Sequence, residues 1–86
     1  MDDLQELRWE IDHIDMQIID LLVQRFSAVQ DIGQYKKIHG FPFLDQERQD
    51  KHVKALIAEA KKQWLSEKFV SDLWDQIYRE SLQVQK

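Results

Sequence analysis

Apolar residues recur through Leu4, Leu7, Ile11, Ile14, Ile18 and Leu21 in alternating steps of three and four, and no proline interrupts the chain from Asp3 to about Ile38. That spacing lays one apolar stripe along an α-helix. The cluster Gly40-Phe41-Pro42 ends it, because glycine accepts positive φ and proline biases the residue before it away from the α region. The result is a single helix that would be roughly 50 Å long at 1.5 Å rise per residue. Asp2 or Asp3 is placed to cap it, Glu6 and Glu10 lie near the positive end of its dipole, and Lys36 and Lys37 lie near the negative end.

The rest of the chain is too short to enclose such a rod. After the turn HGFPFLD, Asp45 caps a second helix expected from about Gln46 to Lys62, with Val53, Leu56, Ile57 and Ala60 on one face. Ser66 opens a third helix that runs to the C-terminus and carries Phe69, Val70, Leu73, Trp74, Ile77, Leu82 and Val84. At roughly 25 and 30 Å, these two helices laid end to end can cover one flank of the first. A single small domain of 86 residues buries only about 60–65% of the surface its unfolded chain exposes. The economical completion is a second copy of the chain, with two long helices antiparallel in a symmetric dimer. The expected fold is therefore all-α, with three helices per chain (one long, two shorter) in one domain over residues 1–86.

Composition narrows the function. With 43% hydrophobic and 33% charged residues, two glycines and one proline, the chain has too few turn formers for an all-β fold. Its net charge of −4, from 12 basic and 16 acidic residues, argues against a nucleic-acid partner. The absence of cysteine removes thiolate nucleophiles and cysteine-rich zinc sites, and His13, His39 and His52 are not grouped with carboxylates at metal-ligand spacing. Neither a signal segment nor an apolar run near the ~20 residues that span a bilayer is present, so a soluble cytoplasmic protein without a membrane partner is expected. No Gly-rich phosphate loop, serine-centred elbow or paired-carboxylate motif is found, and no cofactor is expected. Trp9, Trp64 and Trp74 read as packing or dimer-edge residues.

The long stripe contains one anomaly. Its next position after Leu21 is Arg25, a permanent cation in an apolar seam. Taken alone, such an arginine fixes register or pairs with a buried carboxylate. Alone, too, Arg8 reads as a solvated residue, Lys36 as a dipole partner, Asp45 as a cap, and Ser81 with Gln85 as solvated residues near a terminus. Their combination says more. Arg25 and Lys36 are eleven residues apart, about three turns, and share a face. Arg8 lies seventeen residues before Arg25, roughly 25 Å along the axis, and reaches the same ligand only from an antiparallel second chain. Arg48 is unexpected in a first turn, where acidic side chains are favoured. Permanent cations with neutral donors suit a small dicarboxylate held by arginine forks, and a reaction needing charge stabilisation but no proton transfer.

The ordered set Leu7-Arg8-x-x-Ile11-Asp12-x-Ile14-Asp15-x-x-Ile18-Ile19-x-Leu21-Leu22-x-x-Arg25, Ile32-Gly33-x-x-Lys36 and Pro42-x-x-Asp45-x-x-Arg48 resembles the all-α chorismate mutases. The resemblance runs from Arg8 to Gln85. It implies an intertwined homodimer with two sites that share residues of both chains, and the Claisen rearrangement of chorismate to prephenate in phenylalanine and tyrosine biosynthesis. It also implies roles. The residue matching Arg8 crosses the dimer to one substrate carboxylate, and Arg25 takes the other. Lys36 and Gln85 donate to the ether oxygen, Ile32 packs on the ring, and Asp45, Arg48 and Ser81 complete the polar lining. Gln49 stands where relatives often carry a glutamate that accepts from the ring hydroxyl; an amide accepts that bond without charge assistance. This departure leaves two alternatives on the same fold, an isochorismate pyruvate-lyase that forms salicylate and a 4-amino-4-deoxychorismate mutase. A non-enzymatic helical dimerisation module is the reading from another class. The initial methionine and compact length favour a free-standing protein over a domain of a larger enzyme.

Overall fold

The computed structural model describes residues 2–86, which form three α-helices and no strand. The first, α1, spans Asp3–His39 and starts where the Asp2 side chain accepts from the Leu4 N–H at 3.0 Å. It stops at Gly40, which takes the left-handed conformation at φ 72° and turns its N–H back to the Lys36 carbonyl. Helix α2 spans Gln46–Lys62 behind Asp45, whose carboxylate accepts from the Arg48 N–H at 3.1 Å. Helix α3 spans Glu67–Gln85 behind Ser66, whose hydroxyl accepts from the Phe69 N–H. Each boundary agrees with the sequence expectation to within a residue, because each is set by a local cap.

The packing order differs from the one expected. Helix α3 touches both others, whereas α2 packs against α3 and makes no comparable approach to α1. The apolar face of α2, from Val53 through Leu56 and Ile57 to buried Ala60, is therefore used on α3. Val70, Ile77 and Ser81 supply the buried positions of α3 itself. Only one of the two shorter helices covers the long one.

Along α1, the positions sheltered by α3 are Leu22, Phe26, Val29, Gly33 and Lys36, with Arg25 beside them. They step by four, three, four and three, and they lie one residue, or about 100° of rotation, from the stripe that ends at Leu21. The stripe read from the sequence is thus left uncovered. Leu4, Leu7, Ile11, Ile14, Ile18 and Leu21 are between 41% and 62% exposed. The shape reflects this. The radius of gyration is 16.5 Å and the longest extent 58 Å, against about 12 Å for the radius of a compact domain of this length. None of the described helices is long and apolar enough to cross a membrane.

Candidate active site

Four side chains predicted from α1 and α3 come together where the two helices meet. Arg25 Nη1 donates to Ser81 Oγ at 2.7 Å, and Ser81 in turn donates to the Ile77 carbonyl at 2.7 Å. Ser81 is only 5% exposed, so it is a core residue rather than a solvated one. Lys36 Nζ donates to Gln85 Oε1 at 3.1 Å and to the Phe43 carbonyl at 2.7 Å. That second bond ties the connecting loop to α1, so Lys36 is far more than a dipole partner.

Register explains the convergence. Arg25 and Lys36 are separated by about 16 Å along α1, yet Ser81 and Gln85, one turn apart on α3, are separated by about 6 Å. The two long basic side chains therefore lean toward each other, as their shared face predicts. Helix α3 can come this close because residue 33 is glycine. A Cβ at Gly33 would lie 2.9 Å from both Cα and the carbonyl oxygen of Gln85. Gln85 is the last residue of α3, and the contact with Gly33 and the bond to Lys36 hold it from within its own chain. Its amide Nε2 reaches only the Ser81 carbonyl at 3.4 Å, a weak bond that leaves the donor available.

The basic side chains of this cluster differ from those elsewhere in the chain. In a chain of net charge −4, the described ion pairs join Lys51 to Glu47, Lys61 to Glu67, Lys62 to Glu59, Lys68 to Asp72 and Arg79 to Asp75. Among the described residues no carboxylate lies within ion-pair distance of Arg25, Lys36 or Arg48. The Arg25 guanidinium is held below its ordinary range by burial; the Tyr78 phenol opposes that shift and the charge of Arg48 adds to it. It also lies over the Tyr78 ring, 5.7 Å from the centroid. A seam arginine kept for a buried carboxylate would have its carboxylate, and here none is present among the described residues.

The remaining predicted residues are distributed around this centre. Ile32 and Asp45 line an open cleft with Lys36, together with Tyr35, Phe41 and Pro42. Asp45 engages the Arg48 N–H through one oxygen, so its cap role is observed. Gln49 is half-buried and lines a second cleft between α2 and α3, next to Tyr78 and Leu82. Arg8 stands apart on the uncovered half of α1. Sequence reasoning did not single out Gly33, Tyr78 or the Phe43 carbonyl as site elements. A glycine inside an otherwise regular helix was the available signal for the first, since it often marks a close backbone approach; the other two depend on tertiary placement alone.

Comparison with known proteins decides the family. The profile of chorismate mutase type II matches residues 7–86, nearly the whole chain. The chain belongs to the chorismate mutase type II family. Among its relatives, the T-protein of Haemophilus influenzae is 35% identical over 81 residues, 94% of this chain and 22% of that protein. The bifunctional chorismate mutase/prephenate dehydratase of Buchnera aphidicola subsp. Acyrthosiphon pisum is 35% identical over 79 residues, covering 92% of this chain and 20% of the relative. That of Buchnera aphidicola subsp. Schizaphis graminum is 33% identical over 84 residues, 98% of this chain and 22% of the relative. The chain thus spans about a fifth of the length of these relatives. The cluster of Arg25, Lys36, Ser81 and Gln85 lies wholly within the matched residues.

Proposed function

We propose that this chain is a chorismate mutase domain that rearranges chorismate to prephenate for phenylalanine and tyrosine synthesis, in the cytoplasm, as an intertwined antiparallel homodimer. The observation that carries the reading is the pair of cations, Arg25 and Lys36, held by the neutral partners Ser81 and Gln85, with no carboxylate among the described residues to neutralise them. A substrate with two carboxylates and a breaking C–O bond supplies what these groups lack. Membership of the family supports the same substrate.

The chemistry asked of these residues is modest in kind. One C–O bond breaks and one C–C bond forms within a single molecule, and no proton moves. Catalysis then rests on holding the enolpyruvyl group over the ring and on cations where negative charge grows on the ether oxygen. Lys36 takes that position, with the Gln85 amide as second donor. Arg25 anchors one carboxylate through its fork, Ile32 packs on the ring, and Asp45, Arg48, Gln49 and Ser81 finish the lining.

Dimerisation is supported by the uncovered stripe Leu4 to Leu21 and by the extended shape. Two such stripes packed antiparallel bury each other. They also carry Arg8 of one copy toward Arg25 of the other, which completes the pair of carboxylate forks.

Gln49 keeps the second reading in play, because a neutral acceptor is less demanding about the ring substituent. Purified protein is to be given chorismate and isochorismate separately, with products identified by chromatography and mass. Prephenate from chorismate is expected; salicylate with pyruvate from isochorismate would replace the mutase by a lyase. Consumption of neither would end both readings.

A further inference from the structure

Resting on the mutase reading, we propose that Tyr78 binds substrate, its hydroxyl donating to the carboxylate that Arg25 holds. Tyr78 lies on α3 three residues before Ser81, on the same face of the helix. Its ring carries the Arg25 guanidinium at 5.7 Å, so a carboxylate that engages Arg25 lies in the neighbourhood of this ring. The hydroxyl oxygen is screened from solvent and hydrogen-bonds none of the described residues. Buried polar atoms without a partner are few in folded proteins, and one beside an arginine that pairs with no carboxylate among the described residues is most simply a group whose partner is the ligand.

The surroundings fit an anion. Arg25, Arg48 and Asp50 are the charged groups that bear on the phenol. Two arginines already repel each other here, so a third cation would add to that repulsion. A neutral O–H donates to a carboxylate without that repulsion. Burial pushes the phenol above its ordinary range, which keeps the proton on the oxygen as a donor. A carboxylate offers about four acceptor positions. An arginine fork fills two, and the phenol takes a third.

The substrate carboxylates keep their charge through the rearrangement. A bond to one of them supports ground and transition states about equally, and its loss appears in KM rather than kcat.

The test is Tyr78→Phe in the full chain, which leaves the ring under Arg25 in place. We expect KM for chorismate to rise about 10- to 100-fold, the scale of a hydrogen bond to a charged group, with kcat within about threefold. The Kd of a bicyclic dicarboxylate analogue of the transition state, measured by calorimetry, should weaken by a similar factor. Thermal stability should hold or rise, because an unpaired buried hydroxyl has been removed. Unchanged KM and analogue affinity would overturn the proposal. So would a lowered Tm with unchanged affinity, which would give the hydroxyl to the fold through Asp50. A wild-type protein that binds the dicarboxylate without converting chorismate would sink the mutase reading, while the calorimetric comparison would still decide the role of Tyr78.

Discussion

Gly33 of α1 lies against the backbone of Gln85 so tightly that a single added methyl would sit 2.9 Å from two of its backbone atoms. Backbone cannot yield as a side-chain tip can. Gly33→Ala should therefore push the last turn of α3 away from Lys36. Because a displacement of about 1 Å can cost 10²-fold in rate, kcat is expected to fall on that scale while helicity by circular dichroism is retained. Activity within about threefold of wild type would show that Gln85 has no positional role.

Lys36 has two partners, and the two can be separated. Lys36→Ala removes the cation proposed for the ether oxygen and should lower kcat about 10²- to 10³-fold, on the scale of an oxyanion-hole donor. It also releases the Phe43 carbonyl, so the loop of residues 40–45 should become more sensitive to proteolysis. Gln85→Ala leaves that loop bond intact. It should slow turnover without the change in proteolysis.

Sharing of sites between copies is tested by mixing inactive proteins. Arg8→Ala and Arg25→Leu variants, each expected to lose turnover, are unfolded together and refolded. In a mixed antiparallel dimer one site receives both intact arginines. With half of the dimers mixed, about a quarter of the wild-type sites should return. No recovery in a sample shown to be dimeric by sedimentation would refute the crossing of Arg8. If Arg25→Leu alone keeps full activity, or if wild type never had any, the arginine is only a register device.

Trp64 is 94% exposed and holds a left-handed φ of 64° just beyond α2. Its N–H and that of Leu65 close the helix by donating to the carbonyls of Lys61 and Ala60. Glycine is the usual residue at such a position. Trp64→Gly removes a strained backbone and almost no packing, and after the added freedom of the unfolded chain it should gain about 0.5–1 kcal/mol. A rise in Tm of ~2–8 °C is expected in a thermal melt. A fall would mean that the indole packs against a partner.

Tyr78 gives a stability signature at alkaline pH. Burial raises its folded pKa above the ordinary phenol value, with Arg25 and Arg48 opposing and Asp50 adding. As pH climbs through about 10, the unfolded chain therefore loses this proton first, and stability falls from there upward, whereas below that pH the contribution is complete. Urea unfolding at about pH 8 and 10.5 should show a smaller loss for Tyr78→Phe than for wild type. Equal losses would place the phenol in solvent.

The helices were legible in the sequence because their limits are local. Asp2, Asp45 and Ser66 cap with their own side chains, Gly40 supplies the left-handed turn, and the alternating steps of Leu4 to Leu21 define a stripe. The clustering of the candidate residues was partly legible for a similar reason. Arg25 and Lys36 share a face whatever the tertiary fold, and the ordered family pattern named Ser81 and Gln85 even though, read alone, they resembled solvated residues.

Only the tertiary structure decided which stripe meets which helix. Rotating α1 by one residue separates the face that packs on α3, through Leu22, Phe26, Val29, Gly33 and Lys36, from the face left open at Leu4 to Leu21. Periodicity could not say which apolar face finds its partner within the chain, because both faces carry similar side chains. The same limit hid the packing of α2 on α3, the contact of Gly33 with Gln85 and the unpaired hydroxyl of Tyr78. Each of these depends on a distance between residues far apart in the chain, which spacing along one helix does not encode.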